Sequence, residues 1–155
     1  MNLMRFLVAC FLILYAAAGH AQSNEISDED LKKYVITMDS VEDMQQTLRE
    51  QVAEKVQSNT VMPVTRYNEL IKIQDDSTKL EAANATPEEK AFLKEIAEMR
   101  KATIEQINAT YQDMARNYVG VKAFNQIRKS LQSDQQLKAR YDAMAKDVDS
   151  KEKGG

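Results

Sequence analysis

The chain carries one cysteine and one histidine, Cys10 and His20, and no tryptophan. A thiol beside an imidazole supports nucleophilic catalysis, and either side chain can hold zinc. Both residues, however, fall within the first 21 positions, MNLMRFLVACFLILYAAAGHA. From Gln22 onward there is no thiol and no imidazole. Ser-His-Asp, Cys-His, zinc and di-iron Glu-x-x-His sites are therefore excluded from that body of the chain. The sequence also lacks the glycines that a phosphate-cradling loop requires.

Carboxylates are the remaining reactive groups. A pair of them could hydrolyse a glycoside, yet Asp28 to Asp30, Asp75-Asp76 and Glu88-Glu89 all sit at helix ends or breaks. Capping and solvation account for them there. Met38, Met44, Met62, Met99, Met114 and Met144 could hold a soft metal, but their spacing mostly follows the apolar stripes, which assigns them to packing. Asn84-Ala85-Thr86 and Asn108-Ala109-Thr110 match the glycosylation sequon; Thr86 already serves as a helix cap. These residues assign no catalytic, cofactor-binding or metal site, and the expectation is a non-enzyme without a cofactor.

The first 21 residues read as an export signal. Arg5 and the amino terminus supply positive charge, Phe6 to Ala18 is apolar, and Gly19 and Ala21 place small residues before a cut between Ala21 and Gln22. The apolar run is shorter than the ~20 residues that cross a bilayer, so no stable membrane anchor is expected after cleavage. Leu7-Val8-Ala9-Cys10 resembles a lipobox, but only Phe6 to Ala9 precede the cysteine and the apolar run continues past it; lipidation is set aside. Cleavage would leave 134 residues with 24 acids against 20 Lys and Arg, enough for one domain. A net charge of −4 without a basic patch argues against nucleic acid. The expected location is periplasmic or extracellular. With no cysteine left, stability rests on packing alone.

The elements that would carry these residues are helical. Beyond the leader, glycine and proline occur only at Pro63, Pro87, Gly120, Gly154 and Gly155, while Ala, Glu, Lys, Gln, Met and Leu abound. Ser27 reads as an N-cap with an acidic first turn, opening a helix striped by Leu31, Tyr34, Met38, Val41, Leu48 and Val52 that ends near Ser58-Asn59-Thr60. Pro63 opens a second helix, weakened at Asp75-Asp76-Ser77. Thr86-Pro87-Glu88-Glu89 is a capping box for a third, lined by Phe92, Leu93, Ile96, Met99, Thr103, Ile107, Tyr111, Met114 and Tyr118 and closed by Gly120. A fourth runs from Val121 through Phe124, Ile127, Leu131, Leu137, Tyr141 and Met144. The first and third are ~45 Å long and the connections are short. The expected fold is all-α, an antiparallel up-down-up-down four-helix bundle with kinked second and fourth helices. The alternative is a long hairpin of the first and third helices with two short helical pairs at one end. Residues 22–147 form the single domain and 148–155 a disordered tail.

An internal repeat underlies this pattern. Val64-Thr65-Arg66-Tyr67-Asn68-Glu69-Leu70 aligns with Val121-Lys122-Ala123-Phe124-Asn125-Gln126-Ile127 at an offset of 57 residues, and Leu80 meets Leu137. Duplication of a helical hairpin and the shared spacing of any two amphipathic helices both account for it. Tyr67, Asn68, Phe124 and Asn125 are the candidate repeated surface positions.

Gly120, Phe124-Asn125-Gln126-Ile127, Ser133-Asp134 and Leu137, together with the opening Ile26-Ser27-Asp28-Glu29-Asp30-Leu31-Lys32-Lys33-Tyr34, resemble the exported bacterial helical family known as domain of unknown function 4168. Gly120-Val121 stands where that family often has Gly-Leu. The resemblance implies an exported helical domain and carries over no activity or catalytic residue. The function expected is a non-enzymatic interaction module of the cell envelope that binds an unidentified protein partner, in the manner of a chaperone. A small-ligand or lipid carrier with a cavity between helices is the alternative.

Overall fold

Side chains that compete with the backbone set the helix boundaries. The computed structural model describes residues 25–152; the expected leader and its cut between Ala21 and Gln22 lie outside the described residues. Ser27 Oγ accepts the Asp30 N–H at 3.0 Å and opens α1, Asp28–Ser58. Asn59 ends it, its side-chain Oδ1 accepting the Val61 and Met62 N–H groups. Pro63 then leads into α2, Val64–Leu70, which tightens into a single 3-10 turn over Ile71–Ile73. The Asp76 carboxylate accepts the Lys79 N–H and starts α3, Ser77–Ala82. Asn84, at φ 54°, turns the chain out of α3.

The capping box forms as read. Thr86 Oγ1 accepts the Glu89 N–H and Glu89 accepts the Thr86 N–H, opening α4, Pro87–Asp113. Helix α4 widens into a π turn over Met114–Tyr118, where the Val119 N–H reaches the Met114 carbonyl. Gly120 follows at φ 91°, a backbone region that favours glycine. Helix α5 spans Val121–Ser130 and α6 spans Gln135–Glu152. The described residues are thus all-helical, with six α-helices and no strand.

Two expectations are corrected locally. The second and fourth helices are broken rather than kinked, because Asp76 and Asp134 each cap a new helix at the break. The expected tail from 148 is helical as far as Glu152. Ser150 Oγ donates to the Asp147 carbonyl within that turn.

The packing also departs from the expected arrangement. One apolar cluster joins Val52 and Val56 at the end of α1 to Phe92, Leu93 and Ile96 at the start of α4, with Met62, Tyr67, Leu70 and Leu80 between them. A second joins Leu31 and Tyr34 at the start of α1 to Val119 just past α4, with Phe124, Ile127 and Leu137. Helices α1 and α4 are therefore antiparallel, whereas an up-down-up-down bundle would make them parallel. The contacts give a long hairpin with the α2–α3 pair at one end and the α5–α6 pair at the other, not both at one end. Between the clusters Val35, Thr37, Val41 and Ile107 are buried and Ile104 is exposed, and α6 continues along the middle of α1, where Ala145 and Lys146 share a surface hollow with Glu42 and Gln46.

One arginine fastens each end. Arg66 donates to both oxygens of Glu89, at 2.9 and 3.2 Å, and to the Ala83 carbonyl. Arg140 donates to the Asp28 carboxylate and to the Ile26 carbonyl. Each thus joins a first-turn carboxylate of a long helix to a carbonyl just outside that helix. Aromatic contacts follow the same pattern: Tyr34 meets Phe124 at 4.9 Å between ring centres, and Phe92 meets Tyr67 at 6.2 Å.

Candidate interaction surface

The 57-residue offset orders burial as well as sequence. Met62 and Val119, Tyr67 and Phe124, Leu70 and Ile127, and Leu80 and Leu137 are four pairs at that offset, and all eight side chains are buried. Tyr67 and Phe124, read from sequence as surface positions, are therefore core residues: Tyr67 meets Phe92 of α4 edge-on and Phe124 meets Tyr34 of α1 at a tilt. Asn68 and Asn125 are exposed, one position further along their helices. The structure brings Tyr67 and Asn68 to one end of the hairpin and Phe124 and Asn125 to the other.

Exposure follows the offset too. Val61 and Tyr118 are 43% and 41% exposed, and Val64 and Val121 are 43% and 56% exposed. These two pairs, again 57 residues apart, leave only Ile104 among the large exposed apolar side chains of the described residues. Val61 and Val64 lie just before and at the start of α2, and Tyr118 and Val121 just before and at the start of α5, so each end exposes two apolar side chains. Sequence reasoning missed both pairs. Extending the repeat three residues upstream of Val64 and Val121 would have found them. Surface hollows of about 450 Å³ and 210 Å³ flank Val121, and both open to solvent.

Four of the acidic candidates, Asp28, Glu29, Asp76 and Glu89, are held by basic side chains or helix N–H groups. The hydrogen bond from Arg66, then the Thr86 N–H, hold Glu89 below the usual carboxylate range. Asp76 is lowered chiefly by the Lys79 N–H, and Glu29 by its bond to the Lys33 ammonium. A general acid needs a shift in the opposite direction. Burial pushes the Tyr34 and Tyr141 phenols up, which keeps them neutral within the second cluster. Met62 is buried in the first cluster with Met99 packed against it, while Met38 and Met144 pack against the second.

Among the described residues, no group of three or more His, Cys, Asp or Glu side chains is placed to hold a metal ion. None of the described helices is long and apolar enough to cross a membrane. No family model, curated protein or solved structure matches the chain.

Proposed function

We propose that this chain is an exported, non-enzymatic interaction module of the cell envelope that holds protein partners at its two ends. Its kinship with the exported helical family resembled by its sequence is part of that proposal. The carrying observation is the offset between exposed apolar residues: Val61 and Val64 at one end recur as Tyr118 and Val121 at the other. Each of these side chains leaves about half its surface open, and burying it would stabilise it by about 1 kcal/mol, so a fold that leaves the same two positions open at both ends favours their use in contact. A rod with like apolar pairs at both ends can hold one extended partner twice or bridge two partners. Either mode suits a chaperone-like holder.

The test is photo-crosslinking in intact cells, with a photoreactive amino acid placed singly at positions 61, 64, 118 and 121 of the full chain. Exposed Glu98 and Lys101, midway along α4, serve as controls. The same adduct should form from positions 61 and 64 and from 118 and 121, and not from the controls. Equal or absent adducts at all six positions would overturn the reading.

A further inference from the structure

The two ends share a framework but not their charges, and the difference points to a partner. The smaller hollow beside Val121 has an apolar floor of Tyr111, Ala115 and Phe124, and Arg116 and Arg128 stand at its rim. Neither arginine takes part in an ion pair or hydrogen bond of the described residues. Every other described arginine is engaged: Arg49 with Gln46, Arg66 with Glu89, Arg100 with Tyr67 and Arg140 with Asp28. The repeat supplies an internal control for what the fold itself needs. At the 57-residue offset, Arg116 corresponds to Asn59, which shapes a turn, and Arg128 to Ile71, which packs against the first cluster. The framework closes that end without either guanidinium, so its stability does not call for the pair.

Charge, size and polarity then narrow the ligand. Lys122 and Lys129 join the two arginines on or beside α5, a local basic patch on a chain of net negative charge. A hollow of about 210 Å³ falls below the ~300–1,000 Å³ of sites that engulf small molecules, and matches the anchoring of a single side chain. The Gln112 and Asn125 amides on the same rim can pair with a peptide backbone, which a fatty acyl chain does not offer.

We propose that this hollow anchors an acidic peptide segment of a protein partner, with an apolar side chain seated over Tyr111, Ala115 and Phe124 and a flanking carboxylate held by Arg116 and Arg128. The proposal rests on the interaction-module reading and adds the chemistry of the partner. Arginine suits this role because its planar fork grips a carboxylate through two parallel hydrogen bonds.

The probe is a fluorescein-labelled octapeptide with phenylalanine and leucine flanked by aspartate and glutamate, titrated against the chain beginning at Gln22. Two control peptides replace the acids by their amides or the apolar residues by alanine. Both controls should bind about tenfold more weakly or worse, as should the unaltered peptide with the R116A and R128A variants. R116K and R128K should retain part of the affinity, and added salt should weaken binding to the wild-type chain. Both arginines are exposed, so each variant should melt with the parent. Equal affinity for the acidic and amide peptides, or no loss in R116A/R128A, would overturn the inference. If the peptides fail to bind while crosslinks from positions 61, 64, 118 and 121 persist in R116A/R128A cells, the inference falls and the interaction-module reading stands. If the unaltered chain gives no position-dependent crosslinks, both fall.

Discussion

Arg66 and Glu89 form the most connected polar pair among the described residues, and they carry a pH dependence. Glu89 serves Arg66 and the Thr86 N–H at once, and its carboxyl lies below its ordinary value of 4.5. A group lowered in the folded state contributes its full stability above its unfolded value and loses it as pH falls through the folded one. Thermal melts should therefore show Tm dropping as pH falls below 4.5, and Glu89→Gln should lower Tm at pH 7 by several degrees while flattening that acid slope. Gly120 makes a purely conformational prediction. It has open space around the missing Cβ but sits at φ 91° and ψ 133°, outside the left-handed helical basin, so Gly120→Ala should cost roughly 1–3 kcal/mol from backbone strain alone, read by urea titration. At this scale the sequence was most legible: Ser27, Thr86 and Gly120 could be placed because caps and positive φ are local. The buried Tyr67 and Phe124 were not, because an aromatic at helical spacing looks alike whether its ring meets solvent or another helix.

Helix existence was equally legible, and helix continuity was not. The break at Asp75-Asp76-Ser77 shows itself through three residues that compete with the backbone. In the fourth helix the stripe runs Ile127, Leu131, Leu137, and the five-residue gap before Leu137 marks a break that a continuous stripe cannot contain. Asp134 sits in that gap and accepts the Gln136 and Leu137 N–H groups. Asp134→Ala should cost about 1 kcal/mol and reduce amide protection in the first turn of α6 while leaving α5 unchanged. The short helices should also respond end by end. Leu70 and Ile127 are fully buried counterparts in separate clusters, so Leu70→Ala and Ile127→Ala should each cost about 2–5 kcal/mol. Hydrogen exchange should show the first loosening α2 and α3 most and the second α5 and α6 most. Equal loosening at both ends would mean that the clusters do not act as separate units.

Topology was the least legible scale, because caps report where a helix stops and say nothing about which face its successor covers. Short connections favour antiparallel neighbours, and four unbroken helices would then stack up-down-up-down. Breaking the second and fourth helices removes that constraint: α2 and α3 fold over one end and let α4 return along α1. The consequence for function is a molecule with two ends, each closed by the same framework and each exposing the same pair of apolar positions. That two-ended geometry is the central claim, and the absence of cysteine from Gln22 onward makes it directly measurable. Spin labels on cysteines introduced at exposed Val64 and Val121 should lie roughly the length of α1 apart, ~45 Å, in a double electron–electron resonance experiment. A four-helix bundle would start its second and fourth helices at the same end, and a distance below ~25 Å, too short to span α1, would contradict the account.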